Sequence, residues 1–122
     1  MKIVILDIVN MKLSLNSETE IFMPNSMVFA NCWQGKNNVH ILINHDIKQW
    51  VGNGVNVRQI KDGSSIVFKP SYPRTMSGIE AMKIKNKNFQ IGYQLIKTHT
   101  KNGIIFIDKF VLYEISIVSS LI

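Results

Sequence analysis

The chain has a single cysteine, Cys32, in 122 residues. That excludes an internal disulfide and any metal site built from several thiolates, and it suits a reducing, intracellular origin. Apolar runs are short. None approaches the ~20 residues needed to cross a bilayer as a helix. The opening Met1-Lys2 and Ile-Val-Ile-Leu-Asp-Ile-Val resembles a leader only superficially: Asp7 interrupts it and no small-residue cleavage site follows, so a first strand is the better reading. Acidic residues are few, 8 against 14 Lys and Arg, for a net charge of +6. The basic residues are spread along the chain, with one denser group at Lys83, Lys85 and Lys87. A dispersed surplus reads first as solvated surface, and second as weak affinity for nucleic acid or acidic partners. No interleaving of basic and aromatic residues marks a single-strand binder in the sequence. There is no low-complexity tract, internal repeat or linker.

What is present is strand-forming sequence. Apolar residues make up 46% and charged residues 18%, a globular balance with enough chain for one domain, residues 1–122, and a modest core. Residues 2–8 read as a first strand. Residues 10–15 alternate through Met11, Leu13 and Leu15 as a second, with a turn at Asn16-Ser17. A short strand follows through Glu20–Met23. Pro24 fits the first turn of a helix, and 25–33 are expected to form it, burying Met27, Val28 and Trp33. Gly35–Asn38 is a loop. Val39–His45 reads as a central strand, apolar on both faces. Gly52 and Gly54 within 50–60 imply a bulge or a close backbone approach. Asp62-Gly63 is a hairpin turn with Ser65–Lys69 returning from it, and Pro70 and Pro73 punctuate a loop. Ser77-Gly78-Ile79-Glu80 has capping-box spacing, so a helix is expected over 77–86 with Ile79, Met82 and Ile84 on one face. Residues 89–96 alternate as a strand, Lys101-Asn102-Gly103 turns, and 104–118 is the last strand. The fold class that follows is α+β, a mostly antiparallel sheet or barrel with one or two short helices.

Candidate chemistry centres on two residues. Glu114 is a carboxylate inside a β-branched and aromatic run, where an unpaired charge is costly. It shares a face, on strict alternation, with Leu112, Ser116 and Val118. His45 closes the central strand, on the face of Val39, Ile41 and Ile43, and is followed by Asp46. Alone, each has a bland reading: a strand-end histidine and an edge glutamate. Together they form two thirds of a nucleophilic triad, the carboxylate fixing the imidazole tautomer. A metal role is disfavoured, because His40 faces the other way and His99 has no carboxylate at ligand spacing. Cys32, beside Trp33, reads as a small buried hydrophobe. No cofactor is implied.

The order of short segments adds a resemblance. Ile21-Phe22-Met23-Pro24, then Val39–Asp46 ending Asn-His-Asp, then Val51-Gly52, then a helix leading into Phe89-Gln90-Ile91-Gly92-Tyr93, and finally Val111–Val118, together resemble the prohead maturation proteases of tailed phages, serine peptidases related in fold to herpesvirus assemblin. The resemblance covers roughly residues 18–120 and rests on the joint order of the motifs. It implies that His45 matches the catalytic histidine and Glu114 the residue that orients it. It also implies that the nucleophilic serine is replaced by Gln90, whose amide cannot attack a carbonyl. Ser116 is the nearest alternative hydroxyl, but the family carries a serine there beside its proper nucleophile. Ser77 is expected to serve as a cap, and Ser119 and Ser120 lie at the terminus. The chain also stops just after the last strand, where family members continue.

The expectation is a non-catalytic member of the protease fold with a structural or assembly role in the phage capsid or virion. Capsid or scaffold proteins would be its partners, in a homo-oligomer or larger assembly, in the host cytoplasm during assembly and in the virion. An active endopeptidase with a displaced serine is the alternative, and a small basic nucleic-acid-binding module a second. No membrane association is expected.

Overall fold

In a computed structural model of the chain, residues 3–8, 19–30, 37–60 and 62–118 are described. They form one eight-stranded sheet, curled and open, with a single short helix. The expected strand at 10–15, the turn at 16–17, Cys32, Trp33, the start of the 35–38 loop, Ser119 and Ser120 fall outside the described residues.

The sheet is organised around its longest β-branched and aromatic segment, β8 (Ile104–Val118). One edge of β8 pairs antiparallel with β7 (Asn88–Lys101) through the Asn102-Gly103 turn. Both turn residues have positive φ, 54° and 76°, the requirement of a tight hairpin. Three short strands lie end to end along the other edge, all parallel to β8. They are β2 (Thr19–Phe22) against 104–107, β3 (Met27–Phe29) against 110–112 and β4 (Val39–Ile43) against 114–117. The sheet continues from β4 through β5 (Asp46–Ile60) and β6 (Ser65–Ser71) to β1 (Val4–Asp7), each pair antiparallel. The antiparallel expectation therefore holds for the hairpins and fails along this edge of β8.

The helix expected from Pro24 is absent from 24–30, where a turn and β3 stand instead. Asn25 takes φ 59°, and Val28 and Phe29, good strand formers, pair with Val111 and Leu112. Gln59 holds the break between β2 and β3. Its Nε2 lies 3.0 Å from the Met23 carbonyl and 3.1 Å from Ser26 Oγ, and its Oε1 accepts from Met27 N–H at 3.1 Å. These partners are more than thirty residues away in sequence, so nothing local announces them.

The one helix, α1 (Met76–Lys83), begins one residue earlier than expected and ends three earlier. Its cap is Thr75, not Ser77: Thr75 Oγ1 accepts from Gly78 N–H at 3.0 Å. The buried positions are Gly78 and Ala81, while Ile79, Met82 and Ile84 are exposed. Pro70 belongs to β6, opposite Gly54, rather than to a loop.

The core is assembled from Ile41, Val57, Ile66, Phe68, Ile107, Phe110, Leu112 and Ile115, each 0–1% exposed. Residues 107, 110, 112, 115 and 117 of β8 all enter it, which simple alternation forbids. Two of the three register shifts against β7 explain this; the third puts Ile96 of β7 as the extra residue. Asp108 and Tyr113 each stand as an extra residue between paired positions, and each bulge reverses which face the following residues occupy.

Candidate functional site: a histidine, a carboxylate and an amide on the outer face

The Tyr113 bulge decides where Glu114 points. Leu112 and Ile115 both enter the core, so Glu114 and Ser116 lie on the outer face and Glu114 does not share a face with Leu112. Cross-strand register then builds two rows on that face. His40, Glu114 and Gly92 form one row, and Leu42, Ser116 and Gln90 the next.

His45 comes to these rows from a turn. The strand expected over 39–45 ends at Ile43, and Asn44 and His45 form a two-residue hairpin loop closed by the Ile43–Asp46 pair. Their φ values are 49° and 60°, a geometry in which both central residues must be left-handed. A non-glycine residue there costs on the order of 1 kcal/mol. His45 therefore does not extend the face of Val39, Ile41 and Ile43; it folds back across the sheet.

His45 Nδ1 lies 2.5 Å from Glu114 Oε1, and Nε2 lies 3.3 Å from Gln90 Oε1. The four residues come from three separate segments. Ser116 ties two of them together: its Oγ accepts the His45 backbone N–H at 2.9 Å and donates to Glu114 Oε2 at 2.7 Å. The carboxylate thus has one oxygen on the imidazole and the other on a fully buried hydroxyl. Gly92 supplies the space. A Cβ at that position would overlap Glu114 Oε1, so only glycine allows the carboxylate to lie where it does.

The electrostatics follow from these contacts. Partial burial pulls the His45 pKa down, but the hydrogen bond to Glu114, the Glu114 charge and the Gln90 contact together outweigh it, and the net shift is upward. With the ring protonated, both N–H groups have oxygen acceptors. With the ring neutral, Gln90 serves equally by turning its amide N–H toward Nε2. The His45 side chain remains 41% exposed and that of Glu114 12%, so the imidazole is open to solvent while its orienting carboxylate is enclosed.

Chemically, this is an oriented, charge-stabilised base that, among the described residues, meets an amide and no nucleophile at its Nε2. Ser116 does not take that role, because its hydroxyl is committed to Glu114 and to the His45 backbone. His45, Glu114, Gln90 and Ser116, all singled out from sequence, form one cluster. Gly92 was missed as a site residue, although it stands in the Gln90-Ile91-Gly92-Tyr93 motif and is a glycine inside an otherwise regular strand pattern. Ser77 sits in the first turn of α1, and His40 bonds to Asn53 at 3.2 Å on the surface. His99, which has no carboxylate at metal-ligand spacing in the sequence, meets one across the hairpin: its Nδ1 is 2.6 Å from Asp108 Oδ2, at the Asp108 bulge. Among the described residues no three His, Cys, Asp or Glu side chains are placed to hold a metal ion, and no helix is long and apolar enough to cross a membrane. No family model matches the chain, and no curated protein or solved structure matches it either.

Proposed function

We propose that the chain is a non-catalytic relative of the phage prohead maturation proteases that serves capsid assembly rather than cleavage. One observation carries the reading. The Gln90 carboxamide faces His45 Nε2, the nitrogen that would serve a nucleophile, while Nδ1 is held by Glu114 as an orienting acid would hold it. Three positions singled out from sequence, far apart in the chain, come within hydrogen-bond distance around one imidazole, which supports this reading. The residue at the reacting end is one that cannot react. A fold can persist after its chemistry is lost, and a satisfied hydrogen-bonded cluster is a sufficient reason to retain these side chains.

Among the described residues, the displaced-serine alternative is weakened by Ser116, a hydroxyl within the cluster whose donor and acceptor are both engaged. In the proposed role, contacts with capsid or scaffold subunits replace turnover. The test uses the full chain incubated with capsid and scaffold precursors. Co-sedimentation with the assembling shell and no proteolysis is the expected result. Specific cleavage that disappears in His45→Ala would overturn the proposal. Gln90→Ser offers a sharper probe: a fluorophosphonate adduct at residue 90, absent from the parent chain and lost on His45→Ala, is the outcome the triad geometry calls for.

A further inference from the structure

We infer that the outer face of the β7–β8 ribbon beyond the core is a binding surface for single-stranded nucleic acid. In the sequence its basic residues look scattered and unaccompanied by aromatics. The hairpin changes that. Residues 93–101 are all exposed, and among the described residues β7 pairs only with β8. Past the Ile96 bulge, Lys97, His99 and Lys101 alternate onto one face, and Lys109 lies directly opposite Lys97. Like charges facing each other across a ladder destabilise it, and a polyanion lying over them removes that cost.

The aromatic element sits within this stripe. The His99 ring stacks on Phe106 with centroids 4.9 Å apart and planes 11° from parallel. Asp108, the carboxylate that the described residues 93–109 place beside these cations, is already engaged by His99. Glu20 pairs with Ile105 rather than Phe106, and alternation places it on the opposite face.

Spacing favours a nucleic-acid strand over an acidic protein. Lys97 and Lys101 stand four residues apart, about 13.6 Å along the strand, close to two phosphate separations of an extended single strand, with His99 midway between them. The His99 ring, backed on one face by Phe106, keeps its other face for stacking against a base, the contact single-strand binders use. This inference is independent of the protease-like cluster, which lies at the other end of β8, and stands or falls without it.

The experiment measures fluorescence anisotropy of a labelled oligo(dT) 12-mer with the full chain across a salt series. Two double variants are compared: Lys97→Gln/Lys101→Gln on the ribbon, and Lys83→Gln/Lys85→Gln at the end of α1 and just beyond it. Both remove two charges from exposed positions. The expected result is binding that weakens with salt, with a log–log slope shallower by about 1.4 in the ribbon variant and unchanged in the helix variant. Equal losses in the two variants would reduce the effect to net charge and overturn the inference. So would absence of binding at low salt, tighter binding to a duplex of the same length, or tighter binding to polyglutamate.

Discussion

Among the described residues, two histidines pair with carboxylates of β8, and the two pairs differ in everything except the pair itself. His45–Glu114 spans 2.5 Å and His99–Asp108 spans 2.6 Å, both through Nδ1. Around Glu114 the protein has built a support. Ser116 holds the second carboxylate oxygen, Gly92 vacates the space beside the first, and Gln90 meets the far side of the imidazole. Around Asp108 there is a bulge, a stacked phenyl ring and solvent, and its side chain is more than twice as exposed, 27% against 12%. A short imidazole–carboxylate contact is therefore not what distinguishes a site. The distinction lies in whether both partners are fixed by groups that do nothing else.

The comparison breaks most directly at Gly92. Gly92→Ala places a methyl group on the Glu114 carboxylate, so either the carboxylate swings away or the strands part. A loss of about 2–3 kcal/mol in urea denaturation is expected, with the His45 ring released from Glu114 in its NMR titration. Gly103→Ala, at the tip of the other pair's hairpin, meets no atom within 4 Å and pays only for its φ of 76°, about 1 kcal/mol. Ser116→Ala comes next. It strands the His45 N–H and the second Glu114 oxygen in a buried place, which costs about 1–3 kcal/mol. Ser116→Thr, which keeps the hydroxyl, recovers part of this if the extra methyl is accommodated.

These supports explain what the sequence does and does not announce. The last strand, the Asp62-Gly63 and Asn102-Gly103 turns and the end-to-end β character are legible because composition and turn chemistry are local. His45 and Glu114 stand out because charge in an apolar run is anomalous. The bulges at Asp108 and Tyr113 are not legible, since a one-residue slip against a partner strand leaves no compositional trace. Reading through them by alternation put Glu114 on the face of Leu112, and nothing local pointed to Asp108 as a partner of His99. The segment 25–30 misled for a related reason. Pro24 suits a helix start locally, and the parallel pairing of β3 with a strand eighty residues away overrides it.

Acid–base behaviour sharpens the comparison at smaller amplitude. The pKa of His45 is raised in the folded state, so protonation stabilises the fold. That contribution is complete below the unfolded value of about 6.5 and is lost as pH rises through the higher folded value. Stability relative to His45→Asn, whose side chain tolerates the left-handed φ, is therefore expected to fall between about pH 6 and the upper end of that window. Urea midpoints across the range check this, and a flat difference would mean that Glu114 does not hold the imidazolium. Glu114→Gln removes the charge, and the His45 titration should then move down.

The smallest effect is expected at Asp108. Asp108→Asn keeps the volume, the bulge and an acceptor oxygen for His99, and removes only the charge of an exposed ion pair. Such pairs contribute about 0–1 kcal/mol, so a change within roughly 0.5 kcal/mol is expected by chemical denaturation. The same substitution leaves the ribbon face with one negative charge fewer beside Lys97, Lys101 and Lys109. Its effect on oligonucleotide affinity should therefore be opposite in sign to its effect on stability, a modest gain of affinity at low salt that fades as salt rises. If instead Asp108→Asn destabilises the fold as strongly as Ser116→Ala, the second pair is as firmly built into the structure as the first, and the contrast drawn from their surroundings fails.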